Sequence, residues 1–398
     1  MKFLIAILAL GVAAPAVAQD AAQPTTRDAD ALSKARAIGT KARKVKKFYE
    51  PKFDLSGLEP FRPSAPMKGK LRQWGNNYIK DSGLVEIWEA GFRKYHPGVT
   101  FDDNLYSSAV GFPGLISNAA DLAPMGRQAL WDELKGFERE GAGGGEDGSS
   151  STEIIEIVMA TGSYNVRGWS YALGAFVHKD NPLSKLSMEQ LDGILGAQRD
   201  GGWDGLTWRT DWARGPEKNI RTWGQLGLKG EWANKRITVY GYNMKYHFND
   251  EIDKKVLKGS SKWNETMRAY SNVAGLKADG SLTAGGELIT NGLAADKYGI
   301  AYTGIPFANP NVKMVALSQN GGPAVPMTLE TVQNRTYPLI RDVYYYLKKE
   351  KGRAVDPLKR EFLRYILSRE GQEAVQQDGK YLPLTPAAQR EQLAKLDR

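Results

Sequence analysis

Residues 71–98 read LRQWGNNYIKDSGLVEIWEAGFRKYHPG, and this stretch decides the fold. Its first four residues predict a short strand. Apolar residues then recur at helical spacing from Leu84 to Tyr95, and Pro97-Gly98 predicts the end of that helix. A polar turn of glycine and asparagine separates the strand from the helix. Such a strand–turn–helix unit is typical of an α/β fold.

The same alternation continues along the rest of the chain. Strands are predicted at residues 99–105, 154–159, 171–178, 237–240, 298–303, 312–317 and 343–347. Helices are predicted between them, at residues 115–120, 129–139, 187–195 and 358–379. The alternation indicates α/β lobes with mostly parallel sheets. At about 100–200 residues per domain, a chain of 398 residues has room for two or three lobes.

The composition excludes several classes of protein. The chain has no Cys, which excludes disulfide scaffolds, thiol nucleophiles, cysteine zinc sites, iron–sulfur clusters and a lipid-carrying N-terminal cysteine. Only three His are present, so there is little material for a histidine metal site. No nucleophile elbow, Walker A loop, zinc-protease motif or calcium loop occurs. We therefore expect no enzyme, no cofactor and no metal.

The N-terminus has the pattern of a cleavable signal peptide over residues 1–18. Lys2 precedes a short apolar run, and Ala16-Val17-Ala18 fits the cleavage site. No later apolar run approaches the ~20 residues that a membrane helix needs. We expect a periplasmic protein whose mature chain begins at Gln19, without stable insertion in a membrane.

The formal net charge of +9 is unevenly distributed. Residues 19–66 hold ten Lys/Arg and six Asp/Glu, a net +4, and are expected to form a basic, flexible arm. Because half of the excess charge lies on this arm, we expect no nucleic-acid partner. The glycine-rich segment 141–152 is expected to be a flexible loop, since its context does not fit a phosphate loop.

Small polar residues follow the predicted strands of the first lobe. Backbone N–H groups and hydroxyls at helix N-termini bind anions without a full counter-charge. An arginine can add a planar, two-bond contact to a carboxylate or phosphate. Each turn taken alone is also explained by helix capping. Together, the turns at Asn76-Asn77-Tyr78 and Ser107-Ser108 and the segment from Asp121 to Arg127, with its one guanidinium, predict an anion site.

The order and spacing of these segments resemble the phosphate-binding proteins of bacterial ABC importers, in the type II periplasmic binding protein superfamily. The resemblance covers residues 68–386 and includes FRKYHPGV (92–99), FVHKDNPL (176–183), TWGQLG (222–227), GIAY (299–302) and FLRYILSREGQ (362–372). It implies an α/β protein of two lobes with a hinge and an interlobe cleft. The implied divisions are 67–168 and 342–398 for lobe 1 and 169–341 for lobe 2.

The chain departs from the family pattern at two loops. Asn76-Asn77-Tyr78 stands where the family has hydroxyl residues, although Ser107 and Ser108 match the second loop. The second-lobe arginine and Ser-Gly-Thr are absent, because residues 241–248 read GYNMKYHF. The resemblance leaves Lys245 or His247 to replace that arginine.

The sequence therefore predicts an exported, monomeric solute-binding protein that captures a small oxyanion. Phosphate is the first candidate, and the resemblance implies delivery to the membrane subunits of an ABC importer. Two alternatives stay open: a receptor for an organic anion, or an envelope or adhesion module that kept the fold and lost phosphate binding. The tryptophan-rich segment 203–232 is expected to be mostly buried, with sugar or partner binding as the alternative.

Overall fold

The computed structural model describes residues 53–141, 151–244, 246–271, 273–277 and 282–397, with Phe48, Tyr49 and a few residues between 30 and 41. The predicted signal peptide, most of the basic arm and residues 142–150 of the glycine-rich segment lie outside this part. Within it, no helix is long and apolar enough to cross a membrane.

Sixteen strands are described: β1 (Lys68–Trp74), β2 (Gly98–Asn104), β3 (Ala123–Met125), β4 (Thr152–Thr161), β5 (Gly174–His178), β6 (Lys185–Ser187), β7 (Gly202–Asp204), β8 (Thr207–Arg209), β9 (Thr238–Tyr242), β10 (Arg268–Tyr270), β11 (Val273–Leu276), β12 (Leu282–Ala284), β13 (Gly299–Thr303), β14 (Val312–Met314), β15 (Ala316–Ser318) and β16 (Asp342–Glu350). The α-helices described between residues 53 and 397 are α1 (Asn77–Ser82), α2 (Leu84–Arg93), α3 (Gly111–Ile116), α4 (Trp131–Gly136), α5 (Met188–Leu195), α6 (His247–Lys255), α7 (Gly285–Ala294), α8 (Leu329–Gln333), α9 (Pro357–Leu367), α10 (Arg369–Asp378) and α11 (Pro386–Leu396).

Lobe 1 contains the elements up to β4 together with those from β16 onward. Strands β1 and β2 pair in parallel, and β16 pairs antiparallel with both β3 and β4. Helix α2 buries Leu84, Val85, Trp88 and Phe92 on one face, as its helical spacing predicts. Because β1, β2 and β3 run in one direction, their carboxyl ends share one edge of the lobe.

Lobe 2 is built on a five-stranded sheet in the order β10-β9-β13-β5-β14. Strand β9 is parallel to β10 and β13, whereas β5 is antiparallel to β13 and β14. The expectation of mostly parallel sheets is therefore wrong. The antiparallel strands β5 and β16 are each the first strand after the chain crosses from one lobe to the other. Each of these two strands therefore enters its sheet in the direction opposite to its neighbours.

The two crossing segments, residues 162–173 and 334–341, lie side by side as a hinge. The Gly162 N–H donates to the Arg341 carbonyl over 2.7 Å, and the Leu173 N–H donates to the Leu339 carbonyl over 3.0 Å. These bonds hold the two crossings in register at the point where the lobes meet.

Two expectations from the sequence are corrected at the ends of lobe 1. The helix predicted over 358–379 breaks at Ser368, whose backbone is extended and whose hydroxyl accepts from the Gly371 N–H, so that it caps a second helix. Residues 53–66 do not belong to a flexible arm. They pack on lobe 1, where the Phe61 N–H donates to Glu370 and the Ser64 N–H to Glu361, each over 2.7 Å.

Candidate functional site

The turns after β1, β2 and β3 meet at the edge of lobe 1 that faces the hinge. The Asn76 N–H donates to the Pro124 carbonyl over 2.7 Å, and the Gly126 N–H donates to Ser108 Oγ over 3.2 Å. From the hinge, Ser170 Oγ donates to the Gly126 carbonyl over 2.7 Å. A Cβ at Gly126 would lie 2.5 Å from Asn76 Nδ2, so glycine allows this close approach. The structure thus brings Asn76 and Ser108 together around Gly126.

Asn77, Tyr78 and Ser107 lie beside this cluster and have local roles. Asn77 Nδ2 donates to Asp81 within α1 over 3.1 Å. The Tyr78 ring packs against Trp169 of the hinge at 6.1 Å between centroids. Ser107 is exposed, and its hydroxyl accepts from the Ala109 N–H over 3.2 Å. These contacts are the helix capping and local packing that are expected if each turn has only a structural role.

Asp121 is not brought to the cleft. Its carboxylate accepts from Arg72 Nη2 over 2.8 Å and from the Arg72 N–H over 2.9 Å, in the middle of β1. It precedes Gly126 by five residues of extended chain, about 16 Å. Its charge therefore stabilises the pairing of β1 with the segment before β3, and we remove Asp121 from the candidate site.

Arg127 lies at the cleft edge but already has an acidic partner. Its two terminal nitrogens donate to the Glu133 carboxylate over 2.7 and 2.6 Å, and its side chain is largely buried. An anion at this guanidinium would have to share it with Glu133.

Lobe 2 contributes His247, the first residue of α6, while Lys245 lies outside the described residues. Burial, followed by the positive charges of Arg341 and Arg127, lowers the pKa of His247 to about 3. His247 is therefore neutral at pH 7. The positive charges of Arg341 and Arg127 both disfavour protonation of this imidazole.

Arg341 of the hinge is the residue that the sequence analysis missed. It is 2% exposed, and its Nε and Nη2 have no hydrogen-bond partner. Glu251 of α6 lies 3.7 Å from Nε, beyond hydrogen-bond distance, and the Phe248 ring centroid lies 5.1 Å from the guanidinium carbon. The only sequence signal was its position directly after Tyr337-Pro338-Leu339-Ile340, a stretch whose first three residues belong to the resemblance.

Helix α6 connects lobe 2 to the hinge and to lobe 1. Lys255 Nζ donates to the Ile340 carbonyl, and Lys254 Nζ donates to the Ala129 carbonyl. Lys255 also lies 3.6 Å from Glu251. These bonds hold helix α6, and with it Glu251, against the hinge and against lobe 1.

Two kinds of hydrogen-bond donor suited to an anion are present in this region, the guanidinium of Arg341 and the Ser108 hydroxyl. Among the described residues, no group of three or more His, Asp or Glu side chains is placed to hold a metal ion.

Residues 81–370 match a family described as a PBP superfamily domain, and the chain belongs to this family. The match covers both lobes and the two crossings between them.

The relatives of this chain include proteins named for phosphate. The phosphate-binding protein PstS of Pseudomonas aeruginosa is 29% identical over 332 residues, which covers 82% of this chain and 87% of the relative. The phosphate-binding protein PstS of Staphylococcus haemolyticus is 21% identical over 336 residues, covering 83% and 86%. An ABC-type phosphate transport receptor from Vibrio cholerae is a structural neighbour with 15% identity and a TM-score of 0.45, covering 79% of this chain and 100% of the neighbour.

Proposed function

We propose that this protein binds phosphate, or a closely related oxyanion, in the cleft between its lobes and delivers it to the membrane subunits of an ABC importer. The names of its relatives and the donor groups at the cleft support this proposal. Binding and release by opening and closing of the hinge involve no chemical step, so no catalytic residue is required.

Arg341 is the observation that carries the proposal. A buried polar group without a partner is costly, and a buried charge is more costly still. Two nitrogens of this guanidinium lack acceptors, and Glu251 neutralises its charge only from 3.7 Å. A phosphate oxyanion would supply the missing acceptors through short, charge-assisted bonds. The side chain would then be satisfied in the bound form and strained electrostatically without ligand.

Arg341 also offers a physical substitute for the second-lobe arginine that the sequence lacks. A guanidinium is a planar fork that fits two phosphate oxygens, whereas Lys245 is a point donor and His247 is neutral at pH 7. Because Arg341 belongs to the hinge, it is in place before the lobes close. Closure then adds α6 of lobe 2 over the anion, and the Ser108 hydroxyl supplies a contact from lobe 1.

The test is a calorimetric titration of phosphate into residues 19–398, after unfolding and refolding to remove any ligand carried through purification. We expect saturable binding in the micromolar range or tighter. Sulfate, carboxylates and phosphate esters form the comparison panel. Saturable heat with an organic anion alone would move the assignment to that ligand, and no heat with any member of the panel would contradict the proposal.

The location and assembly of the protein belong to the same proposal. We propose a periplasmic monomer from which the first 18 residues are removed. Mass spectrometry of the exported chain checks the cleavage after Ala18, and sedimentation analysis checks the monomer. A chain that keeps its first residues, or one that sediments as a dimer, would contradict the corresponding part.

A further inference from the structure

A cavity lies between residues of the two lobes, and Arg341, His247 and Ser108 are not among its lining residues. It has a volume of about 710 Å³. Trp131 of lobe 1 and Trp203 and Trp212 of lobe 2 form part of its wall. The rings of Trp131 and Trp203 approach to 5.2 Å between centroids, so they contact each other across the cleft.

The tryptophan-rich segment therefore divides into two parts. Trp223 and Trp232 are buried in the core of lobe 2, as expected for most of this segment. Trp203, in contrast, is 36% exposed, and Trp131 on the opposite wall of the cavity is 41% exposed. Because large apolar rings gain free energy when they are buried, a ligand that covers these two indoles would be favoured.

The polar part of the cavity wall is strongly acidic. It contains one ammonium group, Lys254, which donates to the Ala129 carbonyl. The wall also contains five carboxylates: Asp132, Glu156, Asp204, Asp250 and Asp253. The cavity therefore has an excess of negative charge next to aromatic faces.

Asp250 is a partly buried carboxylate of this wall. Among the described residues it makes no hydrogen bond or ion pair, whereas Asp204 lies 3.6 Å from Arg209 and Asp253 accepts from the Ser261 N–H over 2.8 Å. Burial raises the pKa of Asp250 to about 6 although the positive charges of Lys254 and Arg127 act to lower it, so ionisation of this carboxyl carries a desolvation cost. A cation beside it would remove that cost.

We propose that this cavity binds a small organic cation, such as a quaternary ammonium group, between the indole rings and the Asp250 carboxylate. Indole faces attract cations, and the attraction is larger where water is excluded. The volume lies within the range of small-molecule sites. A neutral sugar would also stack on indoles, but it would leave the excess negative charge uncompensated. A ligand in this position touches both lobes and therefore favours the closed form.

The probe is choline, and its control is 3,3-dimethylbutan-1-ol, which has the same shape without the charge. Each is titrated into residues 19–398 by calorimetry, with tryptophan fluorescence as a second signal, both in the absence and in the presence of saturating phosphate. We expect saturable binding of choline and binding of the neutral isostere that is at least about tenfold weaker. This proposal does not depend on phosphate binding, because both conditions are measured.

Two variants test the wall of the cavity, each with a matched control. Trp131→Ala and Asp250→Asn are expected to weaken choline binding by about tenfold or more. Trp208→Ala removes an exposed indole that contacts Trp203 but does not line the cavity, and Asp211→Asn removes an exposed carboxylate outside it. Asp211→Asn is expected to change choline binding by less than about twofold, and Trp208→Ala is expected to weaken it less than Trp131→Ala does, because Trp208 contacts the cavity only through Trp203. Thermal unfolding confirms that all four variants are folded.

Three results would overturn the proposal. The first is the absence of saturable choline binding both with and without phosphate. The second is equal binding of the neutral isostere, which would show an apolar cavity with no preference for charge. The third is saturable binding of glucose where choline does not bind, which would assign the cavity to a sugar.

Discussion

Replacing Arg341 by methionine isolates the guanidinium on which the proposed function depends. Methionine keeps the length of the side chain and removes its charge and its hydrogen-bond donors. If the two unpartnered nitrogens bind the phosphate, the variant loses two charge-assisted hydrogen bonds of about 1.5–3 kcal/mol each. A total loss of about 3–6 kcal/mol raises the Kd for phosphate by about 10²–10⁴-fold. Calorimetric titration measures this change directly.

The same replacement also changes the stability of the unliganded protein. Glu251 loses the cation at 3.7 Å and keeps only Lys255 at 3.6 Å, so the single variant is expected to lose about 3 kcal/mol of unfolding free energy. The double variant Arg341→Met, Glu251→Gln removes both charges and is expected to recover most of that loss. Its phosphate affinity should remain low. Urea unfolding of the two variants separates the effect on stability from the effect on binding.

Arg214 supplies a matched control in lobe 2. It is also buried, its Nε and Nη1 also lack partners, and it lies 3.4 Å from the Asp192 carboxylate, away from the cleft. Arg214→Met is therefore expected to leave phosphate affinity unchanged. Wild-type phosphate affinity in the folded double variant would refute the argument that Arg341 binds the anion, and so would an equal loss in Arg214→Met.

Three further predictions concern the remaining groups. Ser108→Ala is expected to weaken phosphate binding by about 5–30-fold through the loss of one hydrogen bond, whereas Asp121→Asn should leave the Kd unchanged. Calorimetric titration of phosphate into both variants measures this, and a larger effect of Asp121→Asn would contradict the proposed site. The folded pKa of His247 is about 3, against an ordinary value of 6.5, so its contribution to stability is complete above pH 6.5 and is lost as the pH falls towards 3, by up to about 1.4 kcal/mol per pH unit. Urea unfolding of His247→Gln should therefore show a flatter dependence of stability on pH than the wild type. An unchanged dependence would contradict this prediction. Burial and the neighbouring Asp103 carboxylate raise the pKa of Glu89 to about 8, so its ionisation lowers the stability of the fold progressively from pH 4.5 to 8. Glu89→Gln should increase the free energy of unfolding by about 1–3 kcal/mol at pH 8 and by almost nothing at pH 4. An equal increase at both pH values would contradict this pKa.

Local sequence patterns predicted most elements of the fold because they report local physics. The spacing from Leu84 to Phe92 predicted α2, and the helix predicted from residue 358 begins at Pro357 as α9, where the Asp356 carboxylate accepts from two backbone N–H groups. The break at Ser368 was missed because the apolar spacing continues across it. Strand direction was also missed, since the crossings between lobes are set by tertiary contacts that no local pattern reports.

The candidate site was only partly accessible from the sequence. Ser108 and Asn76 could be found because they follow predicted strands, and parallel strands bring their carboxyl ends to one edge. Asp121 was misplaced because the sequence does not show where its strand begins, and the structure pairs it with Arg72. Arg341 could not be found by spacing, because its role depends on burial at the hinge and on the absence of a hydrogen-bond partner.

The central claim is that an oxyanion binds between Arg341 and the turn that contains Ser108. A crystal structure of the refolded protein with arsenate tests it most directly, because arsenic gives an anomalous signal and arsenate has the shape and charge of phosphate. The account predicts one strong anomalous peak in the interlobe cleft, with arsenate oxygens within hydrogen-bond distance of Arg341 Nε and Nη2. An empty cleft, or a peak bound elsewhere while Arg341 keeps its unpartnered nitrogens, would contradict it.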